Sequence, residues 1–113
     1  MVLIVLGEFE YLIITVATGL GENAYGASIR QELSSATGRK CSLGALYTTI
    51  DRLETKGLLR TWMGGATSQR GGRAKRIVRV TPAGVKAAKE FYDTVSRVSR
   101  NASWAVNRTG ITA

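Results

Sequence analysis

Between Arg70 and Arg76 the chain places four cations, Arg70, Arg73, Lys75 and Arg76, with Gly71 and Gly72 inside the run and no acid among them. Cations at that density suit the phosphates of a polyanion, and the glycines keep the backbone thin enough to approach a groove. The same composition also occurs in plainly solvated loops, so the neighbouring sequence has to decide. Upstream, Ser42 to Lys56 separates into two sets. Leu43, Leu46, Ile50 and Leu53 are apolar; Gly44, Ala45, Thr48, Thr49, Arg52 and Lys56 are small, hydroxylic or cationic. At helical spacing the first set is a core stripe and the second an outward face. Small residues let that face approach a duplex closely. The threonines can hydrogen-bond base edges or meet a thymine methyl, which is the equipment of a helix lying in the major groove. Ser42 is an N-cap candidate, and the free amides after it suit a phosphate. Tyr47 lies at the border of the two faces and either gives its hydroxyl to a phosphate or packs as a core aromatic. Arg52 either reaches the same partner or pairs with a nearby acid.

Other chemistries lack their residues. The chain has no His, so no His-based acid–base pair or metal triad exists. Its one cysteine, Cys41, has neither a His nor a Cys partner, and no internal disulfide can form. Arg39 and Lys40 beside it favour a thiolate, but a plain small residue is the simpler reading. Asp51 and Glu54 lie one turn apart and read as solvated or paired with Arg. The glycine pairs do not fit a phosphate loop closed by Lys-Ser/Thr. We therefore expect no enzyme activity, no cofactor and no metal.

Composition agrees. The chain carries sixteen Lys and Arg against eight Asp and Glu over 113 residues, a net charge of +8, and 44% of it is hydrophobic. The surplus is local. Residues 1–38 hold one Arg against four acids, residues 39–79 hold ten cations against two acids, and residues 80–113 hold five against two. A basic membrane-surface protein would keep its cations beside its apolar N-terminus, and here that part is acidic. No Lys or Arg precedes the apolar N-terminal run, Glu8 and Glu10 interrupt it, and Tyr11 to Leu20 falls short of the roughly 20 residues that span a bilayer. The expectation is a cytoplasmic protein without membrane contact.

The elements that position these residues follow from periodicity. Phe9, Leu12, Ile13, Val16, Ala17 and Leu20 form the stripe of a first helix over about 7–20, with Tyr11 and Ile14 on a second apolar side that suits a partner subunit. Asn23 is a cap for a second helix ending near Gly38, with Tyr25, Ile29, Leu33 and Ala36 facing inward. The third runs from Leu43 to Lys56 and stops at Gly57. Leu58–Met63 and Lys75–Thr81 read as two strands of a hairpin whose tip spans 64–74. Thr81-Pro82 signals a fourth helix, with Thr as cap and Pro at its first position, reaching Ser103. Val85, Ala88, Tyr92, Val95 and Ala102 follow a near-heptad spacing along it. A helix that long on so small a domain seeks a second copy of itself. Tyr11, Ile14, Val85, Ala88, Phe91, Tyr92, Val95 and Val98 are the candidate dimer contacts.

This order is a winged helix-turn-helix, an α+β and mainly α fold. Residues 1–81 are the DNA-binding part, 82–104 a dimerisation helix and 105–113 a flexible tail. Double-stranded DNA is the expected partner, read by Ser42, Gly44, Ala45, Tyr47, Thr48, Thr49 and Arg52 and gripped by Arg70, Arg73, Lys75 and Arg76. A homodimer predicts a near-palindromic site. The alternative is a winged helix that binds RNA or protein only, and the deep, narrow major groove of A-form RNA disfavours a recognition helix.

The segments Leu6-Gly-Glu-Phe-Glu-Tyr11, Ala24-Tyr-Gly26, Ser42 to Leu58, Gly71-Gly-Arg-Ala-Lys-Arg76 and Val80-Thr-Pro-Ala-Gly84 together resemble the PadR family of bacterial transcriptional regulators. The resemblance runs from about Leu6 to Val98. It implies a homodimer joined by the C-terminal helix, and repression relieved by a signal or a small-molecule effector. It matches the family's recognition-helix tyrosine to Tyr47. Two departures stand out. The second wing strand has Ile77 and Val78 where the family often carries paired aromatics. Val95 stands where some short members use a Trp to bind aromatic ligands at the dimer interface.

Overall fold

The computed structural model describes residues 6–64 and 74–105, which form α1 (Glu8–Leu20), a 3-10 turn (Gly21–Asn23), α2 (Gly26–Thr37), α3 (Leu43–Thr55), β1 (Leu59–Gly64), β2 (Lys75–Val80), α4 (Pro82–Ser99) and a 3-10 turn (Ser103–Ala105). The expected elements are present in the expected order. The hairpin tip at 65–73 and the tail at 106–113 lie outside the described residues.

α1 is the helix around which the rest packs. It touches α2, α3, α4 and β2, which is why it needs apolar residues on more than one side. Ile13, Ile14 and Ala17 are buried in the core. Ile14 was expected at a subunit contact. It is fully enclosed by its own chain and has no surface to offer a partner, so that expectation is corrected.

The start of α2 also differs from expectation. Ala24 and Tyr25 are extended, and they serve as a short third rung of the sheet. The Ala24 carbonyl accepts the Val78 N–H at 3.0 Å, and Tyr25 bridges Ile77. That pairing moves the helix start past Asn23, and Ser28 Oγ accepts the Tyr25 N–H at 3.0 Å in place of an Asn cap. Ile29 and Leu33 face inward as expected, whereas Ala36 is exposed.

Ser42 caps α3 as expected, its Oγ accepting the Ala45 N–H at 3.1 Å. The buried stripe is Leu46, Thr49, Ile50 and Leu53, while Leu43 is exposed. Gly57 ends the helix with φ of 78°, a left-handed conformation that costs a residue with a side chain about 1–2 kcal/mol. Its N–H and that of Leu58 close on the Glu54 and Leu53 carbonyls.

β1 and β2 pair antiparallel from Leu59 opposite Val80 to Gly64 opposite Lys75. Leu58, Leu59 and Val78 plug the sheet into the core. Thr81 Oγ1 then accepts the Gly84 N–H at 3.0 Å, and Pro82 opens α4, both as expected. α4 has 18 residues, about 27 Å at 1.5 Å per residue. It ends at Ser99 rather than Ser103, because i→i+3 bonds from Arg100 and Ala102 take over where Ser99, Asn101 and exposed surroundings favour a turn. Ala87 joins the core and Phe91 stacks on Tyr11 at 4.6 Å between ring centroids, so the first half of α4 belongs to the same core as α1. No helix among the described residues is long and apolar enough to cross a membrane.

Candidate nucleic-acid interface

α2 and α3 are joined by the segment 38–42, and Arg30 braces it. Its Nε donates to the Cys41 carbonyl at 2.7 Å, one residue before the Ser42 cap. The start of α3 is therefore held from α2 by a charged hydrogen bond. Beyond the cap, Ser42, Gly44, Ala45, Thr48 and Arg52 are all exposed and share the side of α3 that faces away from the core. No carboxylate among the described residues pairs with Arg52. This set has the composition expected of a base-reading face.

Thr49 does not belong to it. The residue is buried, and its hydroxyl donates to the Ala45 carbonyl at 2.9 Å, which satisfies the polar group inside the helix. Thr49 lies with Leu46, Ile50 and Leu53 because these positions stand at i, i+3, i+4 and i+7. Thr48, one position earlier, points outward. A β-branched residue whose hydroxyl can bond the preceding turn is readily buried, and composition alone does not separate it from its neighbour.

Tyr47 is half-buried and packs on Gly26 at the start of α2. A Cβ at Gly26 would overlap the Tyr47 hydroxyl and ring, so glycine is required there for close approach rather than for a special φ. The Arg76 guanidinium lies 5.6 Å from the centre of the Tyr47 ring, and Lys75 Nζ lies 4.2 Å above the Tyr25 ring. Both distances fall within cation–π range. A cleft of about 710 Å³ opens between α2, α3 and the wing strands, with Tyr25, Leu43, Tyr47, Met63, Lys75 and Arg76 among its walls. Leu43, Met63 and Tyr25 were not singled out as site residues. Leu43 and Tyr25 were expected on inward helix faces and Met63 in a strand; Tyr25 instead precedes α2, half-buried, because it bridges Ile77 of β2 and has Lys75 over its ring.

Arg76 is engaged within the protein. Its Nη2 lies 2.5 Å from Asp51 Oδ1, 3.3 Å from Glu54 Oε1 and 3.3 Å from Thr61 Oγ1. Glu54 also accepts the Thr61 N–H at 3.1 Å and the Thr61 hydroxyl at 2.9 Å, which fastens β1 to α3. Arg70 and Arg73 lie outside the described residues.

Lys56, assigned to the outward face, turns the other way. Its Nζ donates to Glu10 Oε2 at 2.8 Å, and Glu10 also accepts the Gly7 N–H at 2.8 Å. Burial of the Glu10 carboxyl raises its pKa. The hydrogen bonds from Lys56 and Gly7, with the charges of Lys56 and Arg52, outweigh that and hold it below its ordinary value. The pair ties the start of α1 to the end of α3. Both residues were read locally, as an interruption of an apolar run and as a helix-end cation, and nothing in their spacing joins positions so far apart.

Val85, Tyr92, Val95 and Val98 of α4 are exposed, and Ala88 of α4 and Tyr11 of α1 are half-buried. Phe91 and Tyr11 stack within the chain. By helical spacing Val85, Ala88, Phe91, Tyr92, Val95 and Val98 fall on one apolar strip of α4, with Tyr11 of α1 stacked on Phe91.

Comparison with known proteins agrees with this architecture. The chain matches the transcriptional regulator PadR-like family over residues 15–90. It is 41% identical over 78 residues to the transcriptional regulator Rv3488 of Mycobacterium tuberculosis, an alignment covering 67% of this chain and 66% of that protein. Among solved structures, a PadR-like transcription factor from Bacteroides fragilis matches with a TM-score of 0.66 at 22% identity, covering 81% of this chain and 84% of that one. F93 from STIV, a winged-helix DNA-binding protein, matches with a TM-score of 0.64 at 22% identity over 80% of this chain and 90% of its own. At that identity the two structures speak for the fold alone. The family match extends from the middle of α1 through α3 and both wing strands into α4, so this chain belongs to the PadR-like family of transcriptional regulators.

Proposed function

We propose that the protein is a sequence-specific, double-stranded DNA-binding repressor that acts as a homodimer and is relieved by a small-molecule effector. The observation that carries the reading is the exposed face of α3. Ser42, Gly44, Ala45, Thr48 and Arg52 stand together on one side of a helix braced at its start, with the cleft of Tyr47 and Lys75 beside it. In this reading α3 lies in the major groove, Thr48 and Arg52 meet base edges, and Lys75 with the wing cations Arg70 and Arg73 meets phosphates.

Residues up to 81 carry the DNA contacts, and the α4 strip of Val85, Ala88, Tyr92, Val95 and Val98 meets its counterpart in a second copy. Half-sites then lie one or two helical turns apart, roughly 34 Å per turn. The effector reading is supported by a recess of about 460 Å³ between α1, α2 and the start of α3, walled by Phe9, Leu12, Leu33 and Cys41, with the exposed Arg39 and Lys40 and the Ser42 and Ala45 of the reading face at its edge. An apolar acid there would touch α1, α2 and the turn before α3.

Selection of bound fragments from the source genome, followed by footprinting, tests the proposal. It predicts a near-palindromic protected site. Recovery of unrelated fragments without a common half-site would overturn sequence-specific regulation.

A further inference from the structure

Arg76, near the start of β2, is one of the cations that the sequence placed among the phosphate ligands, and its surroundings suit another role. One nitrogen, Nη2, faces acceptors on two other elements: Asp51 and Glu54 on α3 and Thr61 on β1. The side chain is 21% exposed. Asp51 and Glu54 are the only two acids between Arg39 and Arg79, and both stand on the helix proposed to read DNA. The Asp51 side chain is 65% exposed. Unpaired, two carboxylates on that helix would repel the phosphate backbone. Paired, they hold the base of β2 against α3.

We propose that Arg76 is a positioning residue. It locks the wing against the recognition helix and cancels the charge of Asp51 and Glu54, and it does not itself bind phosphate. This rests on the DNA-binding reading above. The lock also has a signature in the free protein, where no DNA is involved.

The experiment is a pair of mutant cycles combining Arg76→Gln with Asp51→Asn and Glu54→Gln. Affinity for the selected operator is read by fluorescence anisotropy across a series of KCl concentrations. Arg76→Gln is expected to weaken binding about tenfold in the parent protein, and less than threefold when both carboxylates are already neutral. In the background where both carboxylates are neutral, the slope of log affinity against log salt stays unchanged by Arg76→Gln. A direct phosphate ligand behaves differently. Its loss costs the same in both backgrounds and lowers the slope by about 0.9.

Thermal melts of the same variants without DNA give the second readout. The shifts from Arg76→Gln and from the carboxylate substitutions are expected to be non-additive. Additive melts, or a salt slope that Arg76→Gln lowers by about 0.9 in the carboxylate-neutral background, overturn the proposal. Absence of operator binding by the parent protein defeats the DNA-binding reading and with it the charge-cancelling role. Non-additive melts in that case establish the wing lock alone.

Discussion

Replacing Gly26 by Ala adds a single methyl at the point where α2 meets α3. That methyl would sit inside the contact distance of the Tyr47 hydroxyl and of two ring carbons, Cζ and Cε1. The ring cannot bend, so either the two helices separate or Tyr47 swings out and leaves the Arg76 guanidinium. Overpacking of this kind costs about 1–3 kcal/mol. Alanine in place of glycine within a helix returns at most about 1 kcal/mol, and less at the first helical position. The balance is a loss of roughly 1–2 kcal/mol. For a domain of this size that lowers the melting temperature by about 4–12 °C. Circular dichroism melts at one fixed protein concentration read the shift, since assembly makes it concentration-dependent. In a Tyr47→Ala background the same Gly26→Ala change is expected to be neutral or slightly stabilising. A Gly26→Ala protein that melts at or above the parent temperature, with Tyr47 intact, would refute the close-packing argument.

Four further outcomes are expected. Because the Glu10 pKa is depressed on folding, its contribution to stability is complete above the unfolded value of about 4.3 and is lost as pH falls through the lower folded value. Urea titrations should therefore show Glu10→Gln less stable than the parent at neutral pH, with the difference shrinking below about pH 4. Thr48→Val is expected to change base preference at one operator position, while Thr49→Val leaves preference unchanged and alters only stability; a binding-site selection on each variant separates the two. Val95→Glu together with Val98→Glu should shift sedimentation from dimer to monomer, and an unchanged mass would place the subunit contact elsewhere. The single thiol, Cys41, reports on the recess between α1, α2 and the start of α3: 2-naphthoate should slow its reaction with a disulfide reagent saturably, and Leu12→Trp should abolish that protection.

Much of the fold was legible because local signals agreed with one another. Thr81-Pro82 started α4, Gly57 stopped α3, and Ser42 capped it, each through a bond confined to a few residues. Errors arose where distant parts of the chain decided the outcome. Asn23 had the chemistry of a cap, but the pairing of Ala24 and Tyr25 with β2 moved the helix start. Ile14 lay off the main stripe and suggested a partner. It is buried because α1 is covered by four elements of its own chain.

The exposed face of α3 was legible in outline from helical spacing. Its rotation by one position, which buries Thr49 and exposes Leu43, was not, since both residues fit either face. The ion pairs of Lys56 and Arg76 span 46 and up to 25 residues, beyond the reach of any periodicity. The cations were visible in the sequence, and their engagement with Glu10, Asp51 and Glu54 required the fold.

The central claim is that α3 and the wing strands bind duplex DNA in a sequence-dependent way. Anisotropy titration of a footprinted operator against a scrambled duplex, repeated over a salt series, tests it most directly. The account predicts binding to the operator about a thousandfold tighter than to the scrambled duplex at physiological salt, with affinity falling linearly in log salt. Equal affinity for the two duplexes, or no binding at low salt, would contradict it.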